Sequence, residues 1–469
     1  MPAFLSGTAT RTGALGTLAD VEAELNQRWP ETRIDPTLGR MIALMDHLGA
    51  PQRGYPAVHI AGTNGKTSVA RMTDALLTGL QRRTGRMTSP HLETVTERIS
   101  VANAPISAER CVDTFQDIAP FIRIVDERSR AAGGPAMSTF EVLTAMGFAA
   151  FADAAVDVAV VEVGLGGTWD ATNVIDAQVA VITPIATDHV DYLGSEITGI
   201  AQAKAGIIKP ESTAIIAEQS PEITEAVLRR CIEVEAPVAR EGAEFGVLAR
   251  QAVPGGQRLR LRGLGGIYDD IFLPVHGAHQ AQNSVLALAA VEAFFGAGPQ
   301  LDVDAVRDAF ATVTTPGRLE RVRDAPTVFV DAAHNPHGAH ALAATLKAEF
   351  AFGTLVGVVA VLADKDAAGL LAALEPVFPL LVLTSNDSPR AMAVEELAEH
   401  AAVHFGPERV VVVPTMAEAL QTAIALAQDS NESGQSSDAA VVVTGSVVTA
   451  AQARTLLDAG LRPGVPSGG

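Results

Sequence analysis

A chain of 469 residues exceeds what one hydrophobic core usually supports, so two domains are expected, each with a substantial interior. Its 34 Lys plus Arg against 54 Asp plus Glu leave a net charge of −20, which argues against a general nucleic-acid or membrane-surface partner and means that any anionic ligand needs a locally basic site. Only Cys111 and Cys231 occur, against a disulfide framework or a cysteine metal site, and the sequence shows neither a basic-then-apolar leader nor an apolar run of about 18 residues, so a cytoplasmic location is expected.

Residues 1–15, rich in Thr, Gly and Ala, read as a loose tail. The first informative stretch is Tyr55-Pro-Ala-Val-His-Ile-Ala-Gly-Thr-Asn-Gly-Lys-Thr-Ser68, an apolar strand running into a glycine-rich loop and a helix predicted over about 67–80. Gly62 and Gly65 let backbone N–H groups turn inward around phosphate oxygens, Lys66 supplies a point charge, and the helix N-terminus adds its dipole. Gly62, Thr63, Asn64, Gly65, Lys66, Thr67 and Ser68 are therefore the candidate nucleotide loop, with a merely tight strand-to-helix turn as the alternative. Only Thr63 and Asn64 separate the first glycine from the Gly-Lys pair, shorter than the common phosphate loop.

From about 55 to 217 apolar runs (57–61, 156–163, 178–184 and 213–217) alternate with helix-length segments, which predicts parallel strands buried on both faces. Residues 256–275 break the rhythm as a small antiparallel excursion, and helices over about 279–295 and 303–312 close this part. Thr314-Thr-Pro-Gly-Arg318 reads as a linker, after which strands are predicted at 327–330, 355–361, 380–384, 410–413 and 439–444. The expected fold is α/β: a P-loop domain with a doubly wound, mostly parallel sheet over 1–312, then a smaller Rossmann-like α/β domain over 313–469. Asp429–Asp438 reads as a polar loop and the residues after about 462 as a tail.

Chemistry-bearing residues gather at the predicted strand ends. Glu162 ends an otherwise apolar strand, where it either holds a nucleotide-bound Mg²⁺ or caps the donors of the following glycine turn. Asp188-His189 ends the next, His189 being a metal ligand or a structural ring. Lys204 lies in a helix that starts apolar, and spacing alone favours a solvated charge or a phosphate contact there. Asn283 sits one turn into the helix opened by Gly277. Arg318, Asp331 and His334 near the linker suit phosphates and ribose hydroxyls, or a linker salt bridge and a turn. Thr444-Gly-Ser446 is a helix cap or a ligand site.

In order, these motifs are Gly-Thr-Asn-Gly-Lys, Thr88-Ser-Pro-His-Leu92 with Glu97-Arg-Ile99, Thr139-Phe-Glu141, Glu162-Val-Gly-Leu-Gly-Gly, Asp188-His189, Lys204-Ala-Gly-Ile, His279-Gln280, Pro316-Gly-Arg-Leu-Glu, Asp331 to Pro336 and Thr444-Gly-Ser. From about residue 35 to 450 the chain resembles the folylpolyglutamate synthase/dihydrofolate synthase branch of the Mur ligase superfamily. The resemblance implies that Ser89, Glu162 and His189 ligate Mg²⁺, and that Lys204 is carbamylated and holds a second Mg²⁺. It implies further that Asn283, Arg318 and Asp331 contact the nucleotide, that His334 and Ser446 lie near the incoming glutamate, and that Phe140 lines a pterin pocket. Thr67 stands where the branch usually has Gly, Thr168 replaces an Arg after the Gly-Leu-Gly-Gly run, and Ala332 replaces a Gly.

The resulting expectation is an ADP-forming ligase that joins L-glutamate to dihydropteroate or folates, with ATP and Mg²⁺ as cofactors, acting as a monomer. A cell-wall ligase of the same superfamily would need a further N-terminal domain, for which the roughly 55 residues before the phosphate loop are too few. A P-loop switch that cycles nucleotide without ligation is the rival from another class.

Overall fold

A computed structural model of the chain describes residues 16–30, 35–188, 192, 194, 196–432 and 438–461. Eight strands, β1 (Ala57–Ala61), β2 (Thr84–Met87), β3 (Ile99–Val101), β4 (Ala104–Pro105), β5 (Val158–Glu162), β6 (Val179–Ile182), β7 (Thr213–Ile216) and β8 (Val238–Arg240), form one sheet in the order β4-β3-β2-β5-β1-β6-β7-β8. All pairs from β2 to β8 are parallel, while β3 and β4 add an antiparallel edge. The phosphate-loop strand β1 is central, paired on both sides and buried throughout.

Its period of two divides the core. Val58, Ile60, Val158, Val160, Val179 and Val181 face one side, where the Lys66–Gly79 and Ala278–Phe294 helices cover them; Ala57, Ala159 and Val161 face the other, under the Ala108–Ala131 and Thr139–Asp153 helices. Continuous apolar runs are the result of covering both faces. Glu162, two residues beyond Val160, therefore emerges on the face of the Lys66–Gly79 helix. His59 falls on the opposite face, where its Nε2 lies 2.8 Å from Thr172 Oγ1.

A three-stranded antiparallel sheet follows, with β10 (Gly256–Arg262) between β9 (Gly246–Val253) and β11 (Ile267–Leu273). After the linker come β12 (Glu320–Asp324), β13 (Thr327–Val330), β14 (Thr354–Val359), β15 (Leu380–Leu383), β16 (Val410–Val412) and β17 (Ala439–Thr444), in the order β12-β13-β17-β14-β15-β16. This sheet is parallel except for the β12 edge. The Ala332 N–H donates to Gly317 O at 2.8 Å, which pins the linker to the end of β13.

Every strand expected from an apolar run is present, within two residues at its ends. The strands the pattern missed have identifiable reasons. β2 buries Arg86, which is neutralised by Asp74 at 2.6 Å; β9 is largely solvated; β12 is a charged edge. The expected loop at 429–438 is corrected at its start, since the Met416–Glu432 helix continues through Asp429; residues 433–437 lie outside the described residues, as do both predicted tails, 1–15 and 462–469. Asp188 does not end a strand: it lies in the loop after β6, which stops at Ile182.

Candidate active site

The loop after β1 is shaped by two glycines at which any side chain would be strained. Gly62 has φ 150° and a Cβ there would collide with Thr183; Gly65 has φ 88° and a Cβ would lie 2.6 Å from Asn283 Oδ1. Asn283, fixed through Gln280 Oε1 at 3.1 Å, thus sits against the phosphate loop. The N–H groups of Thr63 and Asn64 donate to Pro184 O, and Thr63 Oγ1 donates to Ala186 O at 2.9 Å, so the loop is moored to the segment leaving β6. Lys66 folds back over it and donates to Gly62 O at 3.1 Å and Thr63 O at 3.2 Å.

Glu162, 2% exposed, accepts from Thr67 Oγ1 at 2.9 and 3.1 Å and from the Ser89 N–H at 3.1 Å. Burial raises its carboxyl above the usual range, while Lys66 and these donors oppose the shift. One buried carboxylate beside the hydroxyl-bearing Thr67 and Ser89 fits a Mg²⁺ that completes its coordination with water and nucleotide phosphates. Among the described residues no group of three or more His, Cys, Asp or Glu could hold a metal without such a partner.

Lys204 is 5% exposed and donates to the same Gly62 O at 2.8 Å. Two side-chain amines therefore converge on one carbonyl. Burial, and then the Lys66 charge, push the Lys204 amine down to about 7. The solvated-charge reading favoured by spacing alone is thereby corrected. The helix carrying it, Ile197–Ala205, is docked by Thr168, whose N–H and Oγ1 both meet Ala203 O at 2.9 and 3.1 Å. A Cβ on Gly167 would come within 2.6 Å of the same carbonyl, so the Gly-Leu-Gly-Gly run is the seat of the lysine helix.

Groups from the second sheet close this site. Asn335 caps its helix by accepting from the Gly338 N–H at 2.8 Å, and its Nδ2 reaches Asn64 Oδ1 at 3.2 Å and Asp188 Oδ2 at 3.3 Å. His337 Nδ1 lies 3.0 Å from Asn64 Nδ2, Lys365 Nζ 2.9 Å from Asp188 Oδ1, and His334 Nε2 3.7 Å from Asp188 Oδ2. Asp331 accepts from the Leu319 and Ala333 N–H groups, both at 2.8 Å; burial raises its carboxyl while Arg318 opposes the shift.

Comparison with known proteins gives the family. Residues 127–291 match the Mur ligase middle domain and 317–447 the Mur ligase glutamate ligase domain. The dihydrofolate synthase/folylpolyglutamate synthase of Mycobacterium tuberculosis is 59% identical over 467 residues, covering 96% of each chain. The chain belongs to the folylpolyglutamate synthase/dihydrofolate synthase branch of the Mur ligase family. Among solved structures, M. tuberculosis folylpolyglutamate synthase complexed with ADP superposes with a TM-score of 0.90 at 60% identity, covering 94% of this chain and 98% of that one. Escherichia coli FolC in complex with DHPP and ADP gives 0.81 at 30%, covering 96% and 100%.

Of the residues this branch led us to expect, the structure brings Gly62, Thr63, Asn64, Gly65, Lys66, Thr67, Ser89, Glu162, Lys204 and Asn283 into one site. Ser68 is 2% exposed in the first helical turn. Phe140 lies against Gly164, where a Cβ would approach its ring to 2.5 Å, and Arg40 holds the adjacent Glu141 at 3.0 Å. Ser446 is an N-cap, its Oγ accepting from the Thr449 N–H at 2.9 Å, so the helix-cap reading of Thr444-Gly-Ser holds. The Asn-Pro turn is likewise a cap, Asn335, with Pro336 at the first helical position. His189 lies outside the described residues. Sequence reasoning missed Lys365 and His337, whose partners are reached only across the two sheets. Two of the unusual residues have places, Thr67 holding Glu162 and Thr168 holding the lysine helix; Ala332 meets Gly317 through its backbone alone, which does not explain its methyl group.

Proposed function

We propose how this chain carries out its chemistry, and which residues do so. It is an ADP-forming, ATP-dependent ligase that joins L-glutamate to dihydropteroate or folates. The observation supporting our assignment of roles is the convergence of Lys66, Thr67, Glu162 and Lys204 on the Gly62–Gly65 loop, facing Asn335 and Lys365 from the second sheet. In our reading residues 1–312 form the nucleotide domain and 313–469 the second domain.

The acceptor carboxylate attacks the γ-phosphorus of ATP, the bond to ADP breaks, and an acyl phosphate forms. The glutamate amine, having given up a proton, then attacks the acyl carbon and phosphate leaves. The N–H groups of residues 65–68 at the helix start and the Lys66 amine bind and orient the phosphates; Asn283, Arg318 and Asp331 hold the nucleotide. Glu162 and Ser89, with Thr67 beside them and with His189, would hold Mg²⁺, which when bound supplies positive charge to the phosphates. The low affinity of the Lys204 amine for its proton suits capture of CO₂ as a carbamate, converting a cation into an anion beside the phosphates. Phe140 would line the pterin pocket, with His334 and Ser446 near the incoming glutamate. Closure of the second domain over Asn64 and Asp188 keeps water from the acyl phosphate.

The test is phosphate release from ATP with and without L-glutamate, across dihydropteroate, tetrahydrofolate and a cell-wall precursor. Glutamate-dependent release with the pteridine acceptors alone supports the reading. Glutamate-independent release, or release with the cell-wall precursor, overturns it.

A further inference from the structure

An open cleft lies beside the phosphate loop, lined by Thr67 and Arg71 of the Lys66–Gly79 helix, by Thr88, Pro90, Leu92 and Glu97, and from the second half of the chain by Pro316, Arg318 and Val447. It thus holds two guanidinium groups and one carboxylate. That carboxylate is already engaged: Glu97 Oε2 accepts from the Leu92 N–H at 3.0 Å, and Oε1 from the N–H groups of Glu93 and Thr94, both at 2.8 Å. Arg71 makes no hydrogen bond or ion pair to any described residue, and Arg318 meets only its neighbour's carbonyl, Gly317 O, at 3.3 Å. Burial, and then Arg86 and Arg318, push Arg71 down to about 10 although the Glu97 and Glu162 charges oppose the shift, as expected of a desolvated cation with no carboxylate in direct contact. Structural arginines on buried surface are normally paired. The unmet charge here therefore points to an anion that binds.

Position narrows which anion. Thr67 and Arg71 are four residues apart on one helix face, so Arg71 lies about 6 Å further from the phosphate end than the hydroxyl that holds Glu162. A carboxylate at Arg71 therefore belongs to a molecule whose reacting atom sits near Thr67 without being its own phosphate. Dihydropteroate has one carboxylate, which is consumed in the reaction, and a folate acceptor keeps only the α-carboxylate of its terminal glutamate. The incoming amino acid retains two through every turnover, and the cleft is walled partly by Val447, beside the Ser446 cap.

We propose that Arg71 is a specificity-determining residue that binds the side-chain carboxylate of the incoming L-glutamate. This rests on the ligase reading above. A planar guanidinium offers two parallel N–H donors to a carboxylate and nothing comparable to an amide or a methyl group.

The experiment is steady-state phosphate release at saturating ATP and dihydropteroate by the wild type, Arg71→Gln and Arg71→Lys, with L-glutamate, L-glutamine or L-2-aminobutyrate as the amine. In Arg71→Gln the KM for L-glutamate should rise about tenfold or more while the KM for ATP changes by less than about twofold. Its preference for glutamate over the two uncharged amines should collapse, and Arg71→Lys should recover part of it. ADP binding by the same variants establishes that they are folded. An unchanged glutamate KM and preference overturns the proposal, as does a change confined to the KM of the acceptor, which would assign the carboxylate to the acceptor. Failure of the ligase reading has a separate signature, phosphate release by the wild type that ignores every amine.

Discussion

In each of the two large sheets one strand, β1 in the first and β13 in the second, runs into a tight turn and a helix, yet the turns differ in what they bond to. After β1, polar groups bond among themselves: Lys66 and Lys204 meet on Gly62 O, and Thr67 meets Glu162. After β13, Asn335 satisfies its own helix with one atom and reaches across to Asn64 and Asp188 with another. The first turn gathers charged side chains around one loop; the second reaches across to the loops of the first sheet. Substitutions at the first should therefore lower turnover without altering closure. Those at the second should weaken the closed state while leaving the phosphate loop intact.

The largest effect is expected at Lys204. If it is carbamylated, Lys204→Ala is nearly inactive, and added acetate or formate restores part of the turnover, whereas a lysine that merely contacts phosphate would be rescued by small amines instead. Next, Lys66→Ala should lower kcat by about 10²-fold or more, on the scale of losing one preorganised electrostatic group, with the fold retained by circular dichroism. Near-normal turnover in a folded Lys66→Ala protein would erase the contrast between the two turns.

On the closing side the effect should be smaller and of a different kind. Lys365→Ala removes the 2.9 Å contact to Asp188, a pair with side chains only 8% and 10% exposed. We expect a loss of about 1–3 kcal/mol in kcat/KM, with ADP affinity nearly unchanged. A loss of ADP affinity equal to the loss in kcat/KM would place Lys365 in nucleotide binding and blur the distinction.

The smallest effect concerns His59, beneath the first turn. Burial, with Lys209 adding to it, pushes its ring down to about 3, against the ordinary 6.5 available to the unfolded chain. Between those values the unfolded state binds more protons, so this residue's contribution to stability is lost as pH falls from about 6.5 toward 3. The denaturant midpoint of the wild type should therefore drop more between about pH 7 and pH 5 than that of His59→Gln. Equal slopes would show that His59 is not held neutral.

The same contrast explains what could be read in the sequence. The phosphate loop, the glutamate ending β5 and the linker are local signals, because each strand is an uninterrupted apolar run and each turn is set by its own glycines. Lys204 could be located but not understood, since its burial depends on Thr168 and Gly167 docking its helix from a distant loop. Lys365, His337 and Arg71 were silent for a related reason. A lysine or arginine in a short loop or helix reads as solvated until the opposing sheet or cleft wall is placed beside it. β12 and β9 were missed because an exposed or charged edge strand lacks the apolar alternation that marks a half-buried one.

The central claim is that the first turn passes the γ-phosphoryl group to the acceptor carboxylate before the amine arrives. It is tested most directly by turnover with dihydropteroate labelled with oxygen-18 in its carboxylate, followed by mass spectrometry of the released phosphate. The account predicts that the phosphate carries one labelled oxygen per amide formed. Unlabelled phosphate accompanying full amide formation would contradict it.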